Sequence, residues 1–239
     1  MEIRSSTVLP ATRTDITLHT DDGLSLVGEL AVPVDRPPVA TLVFLHPLPT
    51  AGGYMDSHLI RKASNRLPAL AGIATLRFNF RGVSSPRGQS EGSFGEGIDE
   101  AKDLAAALRF VQQAGLPRVW LVGWSFGTEV ILKHAPAHWG EFDGAILMAP
   151  PLHRATAEDL AQWVGRTEPL VALVPEFDDF LTPEPARQRF AAIPHAEVVT
   201  MDGAKHLFVG EKYTRMAHEA ILERVAPESL PLPTAWEDG

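Results

Sequence analysis

The chain has no cysteine. That excludes a disulfide framework, a thiolate metal site and a cysteine nucleophile. Positive charge is also scarce: 21 Lys and Arg stand against 30 Asp and Glu, for a net charge of −9. With no basic run in the sequence, neither a nucleic-acid partner nor a membrane surface is expected. No apolar run approaches the roughly 20 residues of a membrane helix. The opening stretch "MEIRSSTVLPATRTD" lacks the apolar segment of a secretory leader. The expectation is a cytoplasmic protein. The glycine-rich segment around residues 82–97 contains no Gly-Lys-Ser/Thr and no G-x-G-x-x-G behind a strand, which argues against a phosphate loop.

What remains is 239 residues with a 45% hydrophobic and 21% charged composition, suited to one folded domain with a substantial core. The start alternates: "TDITLHT" and "LSLVGELAVP" flank the turn Asp21-Asp22-Gly23, the pattern of an antiparallel hairpin. Short apolar runs follow at 39–46, 72–80, 118–124, 144–150, 170–176 and 196–201. Continuous runs of this kind suit strands covered on both faces by helices, hence a mostly parallel sheet. Helices are expected at 55–70, in the segment ending at Gly115 and Pro117, and at 126–135, 155–164, 183–192 and 207–226. The domain is expected to span 1–239, with 227–239 as a loose tail.

Two G-x-S-x-G matches occur, Gly88-Gln89-Ser90-Glu91-Gly92 and Gly123-Trp124-Ser125-Phe126-Gly127. The motif is short enough to recur by chance, so context decides. A serine nucleophile belongs on a sharp strand-to-helix turn that exposes its Oγ above the sheet edge. Ser125 has an apolar strand before it and a helix after it. Ser90 lies in a glycine-rich loop that generates such matches freely. A serine hydroxyl also needs a base and an orienting acid, which in this layout follow it in the order acid, histidine. His206, in "VVTMDGAKHLFVGE", lies on the loop after the last strand. His134 and His138 have a metal-like spacing broken by Pro136, and His195 precedes its strand. For the acid, "LVALVPEFDDFLTPE" offers Asp178 and Asp179.

These segments resemble the α/β-hydrolases, specifically the small, lidless type related to dienelactone hydrolases. "LVFLHPLPTAGGYMDSHLI" resembles that family's oxyanion loop, "TLRFNFRGVSSPRGQSEGSFGEGIDEAKDLAAAL" its strand, glycine-rich loop and helix, and "GAKHLFVG" its catalytic-histidine segment. The resemblance covers most of 39–210. It implies an α/β-hydrolase fold: a mostly parallel sheet with an antiparallel N-terminal hairpin, helices on both faces and no cap. It also implies a Ser125–His206–Asp178 triad, since the family's Gly-Glu-x-Asp register puts Asp178 on the acid; a gap-shifted register selects Asp179. The serine departs from true dienelactone hydrolases, whose nucleophile is cysteine.

The oxyanion donors are expected at the backbone N–H groups of Phe126 and Leu48, because Pro47 has none. His46 is expected to order the loop rather than act in the chemistry. With no cap between about 151 and 169, the site is expected to be shallow, rimmed by Leu48, Tyr54, Met55, Trp124, Leu152, Phe180 and Phe208. The activity implied is hydrolysis of a small-molecule carboxylic ester through an acyl-enzyme, with no cofactor and no metal. Thioesterase, amidase, acyl-transfer, carbon–carbon hydrolysis and perhydrolysis use the same residues, and a non-catalytic binding protein is the remaining alternative.

Overall fold

The computed structural model describes residues 1–237. Strands β1 (Thr12–His19) and β2 (Ser25–Val32) pair as the expected hairpin, in a register running from Thr12↔Val32 to His19↔Ser25. Strands β3 (Ala40–Leu45), β4 (Ile73–Phe78), β5 (Val119–Trp124) and β6 (Gly144–Met148) are buried at every position, as strands covered on both faces must be. β7 (Leu170–Phe177) and β8 (Ala196–Lys205) complete an eight-stranded sheet of order β1-β2-β4-β3-β5-β6-β7-β8. The β1–β2 and β2–β4 pairs are antiparallel and every other pair is parallel.

Helices α1 (His58–Ala71) and α6 (Glu211–Val225) cover one face of this sheet; α2 (Glu100–Gln113) and α3 (Phe126–His134) cover the other. The period of two along β3 shows the division: Leu42 and Phe44 pack with Leu59, Ile60 and Ile221, whereas Val43 and Leu45 pack with Leu104, Val130 and Ile131. Between β6 and β7 the one helix is α4 (Ala157–Ala161), so no cap is inserted. Helix α5 (Pro183–Phe190) joins β7 to β8. No described helix is long and apolar enough to cross a membrane.

Several boundaries differ from expectation. α1 begins at His58 rather than 55, because residues 54–57 close a turn in which the Ser57 Oγ accepts the Tyr54 N–H. β8 continues through a bulge to Lys205, so α6 starts at Glu211 rather than 207. α4 is five residues instead of the ten expected over 155–164.

The tail corrects the sequence reading more substantially. Residues 227–237 are docked. Leu232 is buried among α1 and α6 side chains and Leu230 packs against them. The Leu232 N–H donates to Glu219, the Ile3 N–H to the Thr234 carbonyl, and the Trp236 N–H to the Met1 carbonyl. The prolines that suggest a loose segment restrict the extended backbone in advance, which lowers the entropy lost on docking. The last two residues of that expected tail lie outside the described residues.

Candidate active site

One residue, Ser125, turns the chain from β5 into α3, with φ 53° and ψ −114°. A non-glycine residue held there is strained, at roughly 1–3 kcal/mol. The flanking glycines permit it by allowing the backbone to close up. A Cβ on Gly123 would lie 2.6 Å from the Gly127 backbone, and one on Gly127 would lie 2.1 Å from the Leu45 carbonyl oxygen. The Ser125 N–H donates to the Met148 carbonyl at 2.9 Å, tying the turn to β6.

Strand register then brings the partners together. β7 and β8 share a last rung at Phe177↔Lys205, so the next residues, Asp178 and His206, leave the sheet side by side. The His206 Nδ1 is 2.9 Å from Asp178 Oδ2, and its Nε2 is 2.9 Å from Ser125 Oγ. The carboxylate can only accept, so Nδ1 carries the proton and Nε2 is free to take one from the serine hydroxyl. Asp178 Oδ1 accepts the Phe180 and Leu181 N–H groups at 2.8 and 3.3 Å, fixing the carboxylate. Asp179 is exposed, whereas Asp178 is buried. The Trp124 indole N–H donates to the His206 carbonyl at 3.2 Å and holds the histidine backbone.

The loop after β3 is braced from β4. His46 is fully buried; its Nε2 accepts the Phe80 N–H at 3.0 Å, so its Nδ1 carries the proton donated to the Pro47 carbonyl at 2.7 Å. Asn79 accepts the Met55 N–H at 3.0 Å, and Arg77 pairs with both Asp56 and buried Glu29. A Cβ on Gly53 would strike the Pro47 carbonyl oxygen at 2.2 Å, so the loop folds tightly on itself. His46 orders the loop as expected, whereas the braces from Arg77 and Asn79 went unread in the sequence, although polar residues inside the apolar strand "TLRFNFRG" were the signal.

The model of the alpha/beta hydrolase family matches residues 42–181, more than half of the chain. The chain belongs to the alpha/beta hydrolase family. Among solved structures, an alpha-beta serine hydrolase homologue from Coxiella burnetii is 28% identical, with a TM-score of 0.73 over 89% of this chain and 97% of its own. A lidless serine hydrolase from Xanthomonas campestris is 26% identical, with a TM-score of 0.71 over 93% of this chain and 99% of its own. An uncharacterized protein of Rickettsia prowazekii is 32% identical over 111 residues, which span 46% of this chain and 44% of that protein, less than half of its length.

The rim of this alpha/beta hydrolase site differs from expectation. Met55, Trp124, Leu152 and Phe208 are buried rather than rim-forming. Trp124 and Phe208 join the core on the α1/α6 side, and Leu152 joins the core on the α2/α3 side. Leu48 and Tyr54 are half-buried, and Tyr54 borders a groove of about 270 Å³ with Pro49, Thr50, Val83 and Phe94. Phe180 is exposed, and its ring meets His206 edge-on at 4.6 Å.

The second motif serine has a different place in this hydrolase. Ser90 is fully buried, its Oγ donating to the Asn79 carbonyl at 2.9 Å and accepting the Val27 N–H at 3.0 Å. Its hydroxyl clips the glycine-rich loop to β2 and to the end of β4.

Burial sets an acid limit on the fold. It lowers His46 to about 4, and the buried His218, bonded to the Leu59 carbonyl, to about 4 as well. Both are depressed below the unfolded value of about 6.5. Their contribution to stability is therefore intact above about pH 6.5 and lost as pH falls toward 4, by up to roughly 3 kcal/mol per histidine. Urea unfolding at successive pH values should show stability dropping across that window, with His218→Gln flattening part of the drop. A wild-type profile that is level from pH 7 to 4.5 would contradict this.

Proposed function

We propose that this protein hydrolyses carboxylic esters of small molecules through an acyl-enzyme, with Ser125 as nucleophile, His206 as general base and acid, and Asp178 as the orienting carboxylate. The observation that carries this reading is the unbroken chain from Ser125 Oγ through His206 to Asp178, two contacts of 2.9 Å each on a strained strand-to-helix turn. His206 Nε2 takes the hydroxyl proton as Oγ attacks the ester carbonyl, and Asp178 stabilises the imidazolium that forms. The negative charge that develops on the carbonyl oxygen falls to the N–H groups of Phe126 and Leu48. Phe126 is the first residue of α3, where the N–H has no partner within the helix and the helix dipole favours an anion. His206 then passes its proton to the departing alcohol. Water repeats the sequence on the acyl-enzyme and releases the acid.

Labelling with a fluorophosphonate and mapping the modified peptide tests the assignment. Phosphonylation of Ser125 is expected, and an unlabelled Ser125 would overturn it. The uncapped site offers little surface to enclose a long acyl chain. Each added acyl methylene should therefore gain well under the ~0.8 kcal/mol of full burial. Across aryl esters of increasing acyl length, kcat/KM should favour short chains. A steady rise out to long acyl chains would contradict the open site.

A further inference from the structure

The segments that carry Asp178 and His206 also carry apolar side chains turned toward water. Phe177 and Phe180 flank the aspartate at 56% and 53% exposure; Leu207 and Val209 follow the histidine at 54% and 71%. Single exposed apolar residues need no explanation, but a group gathered beside one site does. The turn after His206 is built to present two of them. Phe208 has a left-handed φ of 48° and a fully buried ring, so it anchors the turn in the core while both neighbours point outward. The Phe208 N–H donates to the Lys205 carbonyl at 2.8 Å, and the His58 ring donates to the Leu207 carbonyl at 2.7 Å. Strain of this sort persists where the surroundings hold it. Beside this turn lies a groove of about 300 Å³ lined by Asp179, Lys205, His206, Leu207, Val209 and Tyr213.

On the ester-hydrolase reading proposed above, the chemistry gives this surface a direction. Acylation ends when the C–O bond of the tetrahedral intermediate breaks and His206 Nε2 gives its proton to the departing alkoxide oxygen. That oxygen must lie within hydrogen-bond reach of Nε2, about 3 Å. The carbonyl oxygen is drawn instead to the N–H groups of Phe126 and Leu48. The substituent on the alcohol oxygen thus extends along the residues that surround His206. We infer that Phe180, Leu207, Val209 and the groove beside them form the alcohol subsite, and that it takes an uncharged apolar alcohol, aryl or alkyl. Asp179 and Lys205 in the groove lining balance in charge, so no net charge there favours a charged alcohol, and the exposed Phe180, Leu207 and Val209 offer apolar contact instead.

Selectivity then lies on the alcohol side of the ester rather than the acyl side. Acetate esters from ethyl to hexyl keep the acyl-enzyme constant and change the leaving-group chemistry little, so kcat/KM reports the subsite. The expected result is a rise of about two- to fourfold per added methylene, the range of partial to full burial of the group. In the Leu207→Ser/Val209→Ser double variant, whose changed side chains are both exposed, the slope should fall to near zero while the thermal midpoint stays within a few degrees. A flat series in the wild type, or a slope preserved in the variant, would overturn the inference. So would a change in mass by light scattering between wild type and variant, which would make the patch an interface between copies of the chain. Fluorophosphonate labelling separates the two levels. Labelled Ser125 with no alcohol slope overturns the subsite alone, whereas unlabelled Ser125 overturns the hydrolase reading and the subsite with it.

Discussion

Ser125→Ala should remain folded, lose all fluorophosphonate labelling and slow ester turnover by about 10⁴–10⁶-fold, leaving what binding and the oxyanion donors supply by themselves. The loss is large because the base and the acid act only through the nucleophile. Folding is expected to survive for a geometric reason. The turn is held by the Ser125 N–H to Met148 and by the glycines that let α3 press against β3, none of which involves the hydroxyl. Ser90→Ala supplies the control, since it removes the serine of the other G-x-S-x-G match. There the hydroxyl is structural, and its loss strands the Val27 N–H and the Asn79 carbonyl, costing roughly 1–3 kcal/mol of stability. Labelling and turnover should persist below the lowered melting temperature. Turnover lost in folded Ser90→Ala and retained in Ser125→Ala would reverse the assignment of the two serines.

The strand-to-helix turn at Ser125 was legible because its requirements are local: an apolar strand, two glycines and a helix start are adjacent in the sequence. The mostly parallel sheet and the absence of a cap were legible for a related reason, since continuous apolar runs mark strands covered on both faces and the short gap from β6 to β7 bounds what can be inserted. Burial of individual side chains was not. Trp124 and Phe208 lie next to Ser125 and just after His206 in sequence, yet both rings lie in the core on the α1/α6 side. A left-handed φ at Phe208 leaves no mark in composition, so the outward pair Leu207 and Val209 went unread. The buried polar brace was equally hidden. Arg77 meets Glu29 only once β2 lies beside β4, and Asp56 and Met55 meet Arg77 and Asn79 only once the loop after β3 folds back over the end of β4. The docked tail failed for the same cause. Leu230 and Leu232 find their partners on helices, and the strand-like bonding of residues 234–236 is to the first residues of the chain.

Asp178→Asn should lower kcat by up to about 10⁴-fold with little effect on folding, by favouring the wrong imidazole tautomer. In the wild type the Asp178 Oδ2 accepts from His206 Nδ1, which leaves Nε2 unprotonated toward Ser125 Oγ. An asparagine can keep its oxygen on the Phe180 and Leu181 N–H groups and so must turn its NH₂ toward Nδ1. Nδ1 then becomes the acceptor, the ring proton moves to Nε2, and the serine hydroxyl faces a donor instead of a base. Asp179→Asn is the comparison that gives this result its meaning. The neighbouring carboxylate is exposed, as expected where successive residues at a strand end point to opposite sides. An exposed carboxylate is screened by solvent, so its loss should cost less than about tenfold. A pH profile divides the two further. Activity of Asp179→Asn should keep the wild-type shape, whereas residual activity of Asp178→Asn should grow at high pH, where hydroxide can stand in for the missing base. Should Asp179→Asn prove the slower of two folded variants, the orienting carboxylate would be Asp179, and the 2.9 Å contact at Asp178 would be a bystander.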